Sequence, residues 1–162
     1  MILGMSFSTF TTVHVVISLI GIATGIVVLL GMLSGKRLDG LTAVFLATTV
    51  LTSVTGFLFP FSRLLPSHVV GIISLVVLVV ALVALYSKRL SGVWRSIYIV
   101  TATMALYLNV FVGVVQAFQK VAFLQPLAPT QAEAPFVVAQ VIVLALFGVC
   151  LLYTSPSPRD RS

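Results

Sequence analysis

The sequence predicts an all-α integral membrane bundle of five transmembrane helices, and three observations carry that prediction. Of 162 residues, 60% are hydrophobic and only 7% are charged, with a mean hydropathy of +1.24, a balance outside that of soluble domains. Apolar runs long enough to cross a hydrocarbon core of about 30 Å, which takes about 20 helical residues, recur along the chain. These runs are continuous and lack the alternation of a membrane barrel strand, so only a helix can satisfy their backbone groups in lipid.

The spans are predicted at 10–33, 41–60, 67–87, 94–119 and 135–153. The first resembles a secretion signal in position only. No Lys or Arg precedes Lys36, the apolar run exceeds a signal core, and no small-x-small cleavage site follows, so it reads as a retained helix. Its Thr11, His14, Ser18, Gly21 and Gly25 recur at helical spacing and form one small or polar stripe, which permits close backbone approach. The second span is rich in hydroxyls, among them Thr49, Thr52, Ser53 and Thr55; the third offers Gly71, Ser74 and Ala81. The fourth carries Tyr98, Ala102, Ala105, Asn109, Gly113, Gln116 and Lys120 on one face, and the fifth opens at Pro135 after the turn-forming stretch APTQAEA. These faces are predicted to turn inward, with Leu, Val, Ile and Phe toward lipid. The same small-residue faces are the expected route to a homo-oligomer or a membrane partner.

The chain ends in CLLYTSPSPRDRS, unlike the rest. Residues 150–160 match the translation of a nucleotide string that resembles the adapter of transposase-based sequencing libraries. Residues 150–162 are therefore expected to be a non-native tail behind a single transmembrane domain, 1–149, as a fusion scar would be. From Pro135 to Val149 the fifth helix reaches only about 22 Å, short of a full span, so a native helix is expected to continue past Val149. Setting the tail aside removes the single Cys and lowers the net charge from +6 to +5, since two Arg and one Asp go with it.

The positive charge is not a nucleic-acid patch, because its residues are spread over the connections. Lys36, Arg37, Lys88, Arg89 and Arg95 flank the first and third connections, while only Arg63 and Lys120 flank the second and fourth. The positive-inside rule then predicts a multi-pass protein with its N-terminus outside and the end of helix 5 in the cytoplasm.

Polar landmarks repeat along the chain. HVV at His14 precedes KRLDG at 36–40, and HVV at His68 precedes KRLSG at 88–92; Thr49 aligns with Thr103, Thr55 with Asn109 and Phe57 with Phe111. A duplicated two-helix hairpin, helices 1–2 and 3–4, is the expected origin of this order.

Chemical motifs are sparse: there is no P-loop, HExxH, paired Cys or Gly-x-Ser-x-Gly. Outside the tail the only acids are Asp39 and Glu133, in connections on opposite sides, which excludes a paired-carboxylate hydrolase and predicts no catalytic residue. His14 and His68 each stand about 30–33 Å above the basic residues that end their helices, so they share one depth. Gln116 reaches a similar height and Asn109 lies deeper. The expected site is an outer cluster of His14, His68, Gln116 and Asn109, rimmed by Arg63, Lys120 and Glu133. Two imidazoles from facing helices are the usual axial pair for haem b in a bundle, or for a metal, with His14 and His68 as ligands. A plainer reading has both histidines marking the membrane boundary and bonding to water or a carbonyl, and a third admits a quinone or lipid.

The HVV starts, TGFLFPF at 55–61, ALYLNVFV at 105–112 and LAPTQAEAPF at 127–136 resemble a group of small polytopic bacterial inner-membrane proteins. That likeness implies location and no activity. The helix-borne histidines are also similar to those of four-helix cytochrome b561-type proteins, but two histidines at one depth do not make a two-haem wire. The expected function is that of a non-enzymatic membrane component in the lipid bilayer, with a haem b-binding or quinone-interacting redox protein as the alternative.

Overall fold

The computed structural model describes residues 1–64 and 66–154. Helix α1 runs Phe7–Leu33, α2 Asp39–Gly56, α3 Pro66–Leu82, α4 Trp94–Lys120 and α5 Ala134–Thr154. A π-helical turn, Val83–Ser87, prolongs α3, and a 3-10 turn, Gln125–Leu127, lies between α4 and α5. Among the described residues there is no strand, and five helices are long and apolar enough to cross a membrane. The protein is an all-helical membrane bundle.

Local chemistry sets the helix ends. Ser6 caps α1, its hydroxyl accepting from the Thr9 N–H at 3.2 Å. At the other end Gly35, at φ +70°, lets the chain reverse, with Gly35 N–H donating to the Met32 carbonyl and Lys36 N–H to the Gly31 carbonyl at 2.8 Å. That bond pair is a Schellman cap, which favours glycine at this position. The equivalent residue before the second KRL is Ser87. Without a glycine there the helix overshoots into the π turn, Lys88 N–H reaching back to the Val83 carbonyl, and the left-handed residues become Arg89 (φ 50°) and Leu90 (φ 58°). The two landmark segments thus share letters but not backbone.

Helix 2 was expected to reach residue 60, but it stops at Gly56. Pro60 disfavours helical backbone at Phe59 and has no N–H to offer, so the chain leaves through tight turns from Phe57 to Val54 and from Leu58 to Thr55. The other boundaries fall within a few residues of expectation. Cys150–Thr154 forms the last turn of α5, Cys150 and Leu151 packing on the core; residues 155–162 of the anomalous ending lie outside the described residues.

Neighbouring helices α1–α2, α2–α3, α3–α4 and α4–α1 pack side by side and close a ring, with α1 and α3 on one diagonal. Helix α5 lies outside the ring against α4 and α1, and none of its residues is fully buried. The ring is not uniform along its length. Its core consists of Val28 and Leu29, Phe45 and Leu46, Leu78, Ala81 and Ala84, and the α4 residues from Tyr98 to Leu106, all in the half nearer the Lys36 and Lys88 connections. Ala81, Ala84, Ala102 and Ala105 are at most 1% exposed, and these small residues let α3 and α4 approach closely. Within lipid such packing, rather than apolar burial, holds helices together. In the other half the helices part around a cavity.

Candidate functional site: a cavity in the open half of the bundle

The cavity measures about 560 Å³ and is lined from all four ring helices and the α2–α3 connection. His14, His68, Asn109 and Gln116, the four residues singled out from sequence, all line it, together with Lys120. Arg63 and Glu133, expected at the rim, do not line it. Arg63 is exposed in the α2–α3 connection. Glu133 is drawn instead to its own turn, its carboxylate accepting from Thr130 Oγ1 at 2.7 Å and from the Thr130 and Ala132 N–H groups. Those bonds, the hydroxyl's first, hold the Glu133 carboxyl below the usual range.

Phenylalanines wall the outer end. Alternation along the α2–α3 connection sends Phe59 edge-on to His14, at 5.1 Å between ring centroids, and Phe57 and Phe61 to His68, at 5.6 and 4.2 Å. Phe59 also meets Phe7 and Phe10, tying the start of α1 to the connection. His68 is buried at 6% exposed, while His14 is partly exposed. Gly71 makes room for this wall, since a Cβ there would stand 3.1 Å from the Phe57 ring.

His14 is oriented by a bond that sequence spacing does not reveal. Its Nδ1 lies 2.7 Å from Thr55 Oγ1, and that hydroxyl already donates to the Leu51 carbonyl at 2.6 Å. The bond holds the imidazole of α1 against α2 and fixes the direction of its ring at the cavity wall. Deeper in the cavity, Asn109 packs on α1 where Gly21 has no side chain. A Cβ at Gly21 would lie 3.3 Å from Asn109 Nδ2, 3.1 Å from Thr48 Oγ1 and 3.3 Å from Thr49 Oγ1. Both threonine hydroxyls donate to carbonyls of their own helix, and Asn109 Nδ2 is buried with no hydrogen-bond partner. An unmatched buried donor is costly, on the order of 1–3 kcal/mol.

The cavity thus brings the His14 imidazole and the Gln116 amide to one space, with Lys120 nearer the mouth, while Asn109 turns its Nδ2 away into the packing against Gly21, Thr48 and Thr49. Among the described residues no three His, Cys, Asp or Glu side chains gather as a metal site. A haem would be held by His14 and His68, which line the same space, with Lys120 the cation at hand among the described lining residues. Comparison with protein families, curated proteins and solved structures gives no match. The assignment therefore rests on the site itself.

Proposed function

We propose that this chain is a non-enzymatic component of a bacterial inner membrane whose cavity binds the polar head of an isoprenoid quinone or quinol. In this reading the N-terminus and the cavity face outward, and the basic connections and the end of α5 face the cytoplasm, as five cations against two favour. The observation that carries the ligand class is the pairing of one side-chain amide, Gln116, with one imidazole, His14, inside a largely apolar space. A quinone carbonyl accepts from the amide, and a quinol hydroxyl donates to the imidazole. The volume lies within the roughly 300–1,000 Å³ of small-molecule sites, and lipid beside the helices supplies a place for an isoprenoid tail.

The test is extraction of purified protein with organic solvent, followed by mass spectrometry of the extract. Quinone is expected near one equivalent with the parent and well below it with Gln116→Leu, which removes the lining amide at similar size. Equal quinone content in parent and variant overturns the proposal. A Soret band in the purified protein, lost in both His14→Ala and His68→Ala, would assign the cavity to haem b instead.

A further inference from the structure

A second cavity, of about 420 Å³, lies at the opposite end of the bundle, beyond the packed core. Its rim draws cations from both basic connections: Lys36 and Arg37 follow α1, Arg89 follows α3, and Arg95 stands in the first turn of α4. Among the described residues Asp39 is the one carboxylate in the lining, and it pairs with Arg37 at 3.0 Å on the exposed side. Among them four cations against one anion leave a net +3. Thr42 and Tyr98 add polar groups, while Val28, Met32 and Leu85 make the inner wall apolar. Arg89 reaches this rim from a left-handed backbone conformation that a non-glycine residue adopts only under strain, and such strain persists where the surroundings require it.

We propose that this cavity binds a phosphate-bearing anion, with the headgroup of an anionic phospholipid as its source. Guanidinium groups bind phosphate through paired, charge-assisted hydrogen bonds, and basic pockets between transmembrane helices are suited to lipid headgroups. The apolar inner wall and the position at the membrane boundary favour a lipid over a soluble ion. This site is independent of the quinone reading, since it shares no lining residue with the first cavity.

Trp94, the only tryptophan, begins α4 beside Arg95 and serves as a reporter. The full chain, reconstituted with brominated phosphatidylglycerol or brominated phosphatidylcholine at equal mole fraction, reports local lipid through quenching of Trp94. Stronger quenching by phosphatidylglycerol is expected. Arg89→Gln with Arg95→Gln should lower that preference by about tenfold or more, whereas Lys88→Gln, at a cation outside the lining whose Nζ stands 5.5 Å over the Trp94 ring, should leave the ratio of the two lipids' quenching, each taken against that variant's own unquenched emission, within about twofold. Unfolding temperatures in phosphatidylcholine alone confirm that each variant is folded. Equal quenching by the two lipids, or an equal loss in Lys88→Gln and a single Arg95→Gln, overturns the proposal. Persistence of the preference in millimolar inorganic phosphate at fixed ionic strength assigns the site to lipid; its loss overturns the lipid source and assigns the cavity to soluble phosphate.

Discussion

Replacing Gly25 by Ala is the sharpest test of how the packed half is built. A Cβ at Gly25 would stand 2.6 Å from Leu106 Cδ1 and 2.8 Å from Phe45 Cδ1, against an optimum near 3.5–4.0 Å between carbons. Neither neighbour has room to retreat, since Leu106 is 1% and Phe45 2% exposed. Overpacking of this kind costs about 1–3 kcal/mol. The better helix propensity of Ala returns up to about 1 kcal/mol, so the expected net loss is about 1–2 kcal/mol, a factor of about 5–30 in the folded-to-unfolded ratio. Gly148→Ala is the matched control. Nothing lies within 4 Å of its added Cβ, on the exposed side of α5, so only the propensity gain remains and the variant should be more stable by up to about 1 kcal/mol. Reversible unfolding in mixed micelles, followed by far-ultraviolet circular dichroism, measures both. If Gly25→Ala unfolds at the same denaturant fraction as Gly148→Ala, the close contact of α1 with Phe45 and Leu106 is refuted.

Arg89→Gly should relieve the left-handed strain at φ 50° and stabilise the fold by about 1 kcal/mol, read as a raised unfolding midpoint in neutral lipid. Thr55→Val should free the His14 ring from its 2.7 Å partner at a cost of about 0.6–1.7 kcal/mol, with the same assay as the check. The Glu133 carboxyl has a lowered pKa in the folded protein. Its contribution to the turn before α5 is therefore present above the unfolded-state pKa and lost as pH falls through the folded value. Carbon-13 chemical shifts of the Glu133 carboxyl should move their midpoint upward in Thr130→Val. Reporter fusions after Lys36 and Lys88 should read cytoplasmic and those after Arg63 or Gln131 external; alkaline phosphatase activity from the first pair would reverse the orientation.

The cavity residues were legible in the sequence because two regularities fix a helical residue in a membrane. Spacing of three and four puts Asn109, Gln116 and Lys120 on one face, and counting rises from the basic connections puts His14 and His68 at one height. Neither regularity extends into a connection, so Arg63 and Glu133 could not be placed. The Thr55 partner of His14 is 41 positions away and carries no local signal. The phenylalanine wall carried a local signal, the alternation of Phe57, Phe59 and Phe61 around Pro60, but not the turns that aim each ring at its histidine. The π turn was concealed by the KRL landmarks themselves, which align while the preceding glycine of one copy is a serine in the other. The division into packed and open halves depends on which residues of the four helices come together in one core, which a single chain of letters does not show.

That division makes the protein a wedge. One end of the ring is filled by a close core that includes Ala81, Ala84, Ala102 and Ala105, whereas the girth of the other is set by whatever stands between the parted helices. A guest that spreads them claims extra area from the surrounding leaflet and does work against its lateral pressure. By linkage, the same pressure acts back on the guest. Occupancy should fall as that leaflet is compressed by lipids with bulky chains and small heads, and rise when it is relaxed, so that the composition of the bilayer becomes a control on the site without touching it.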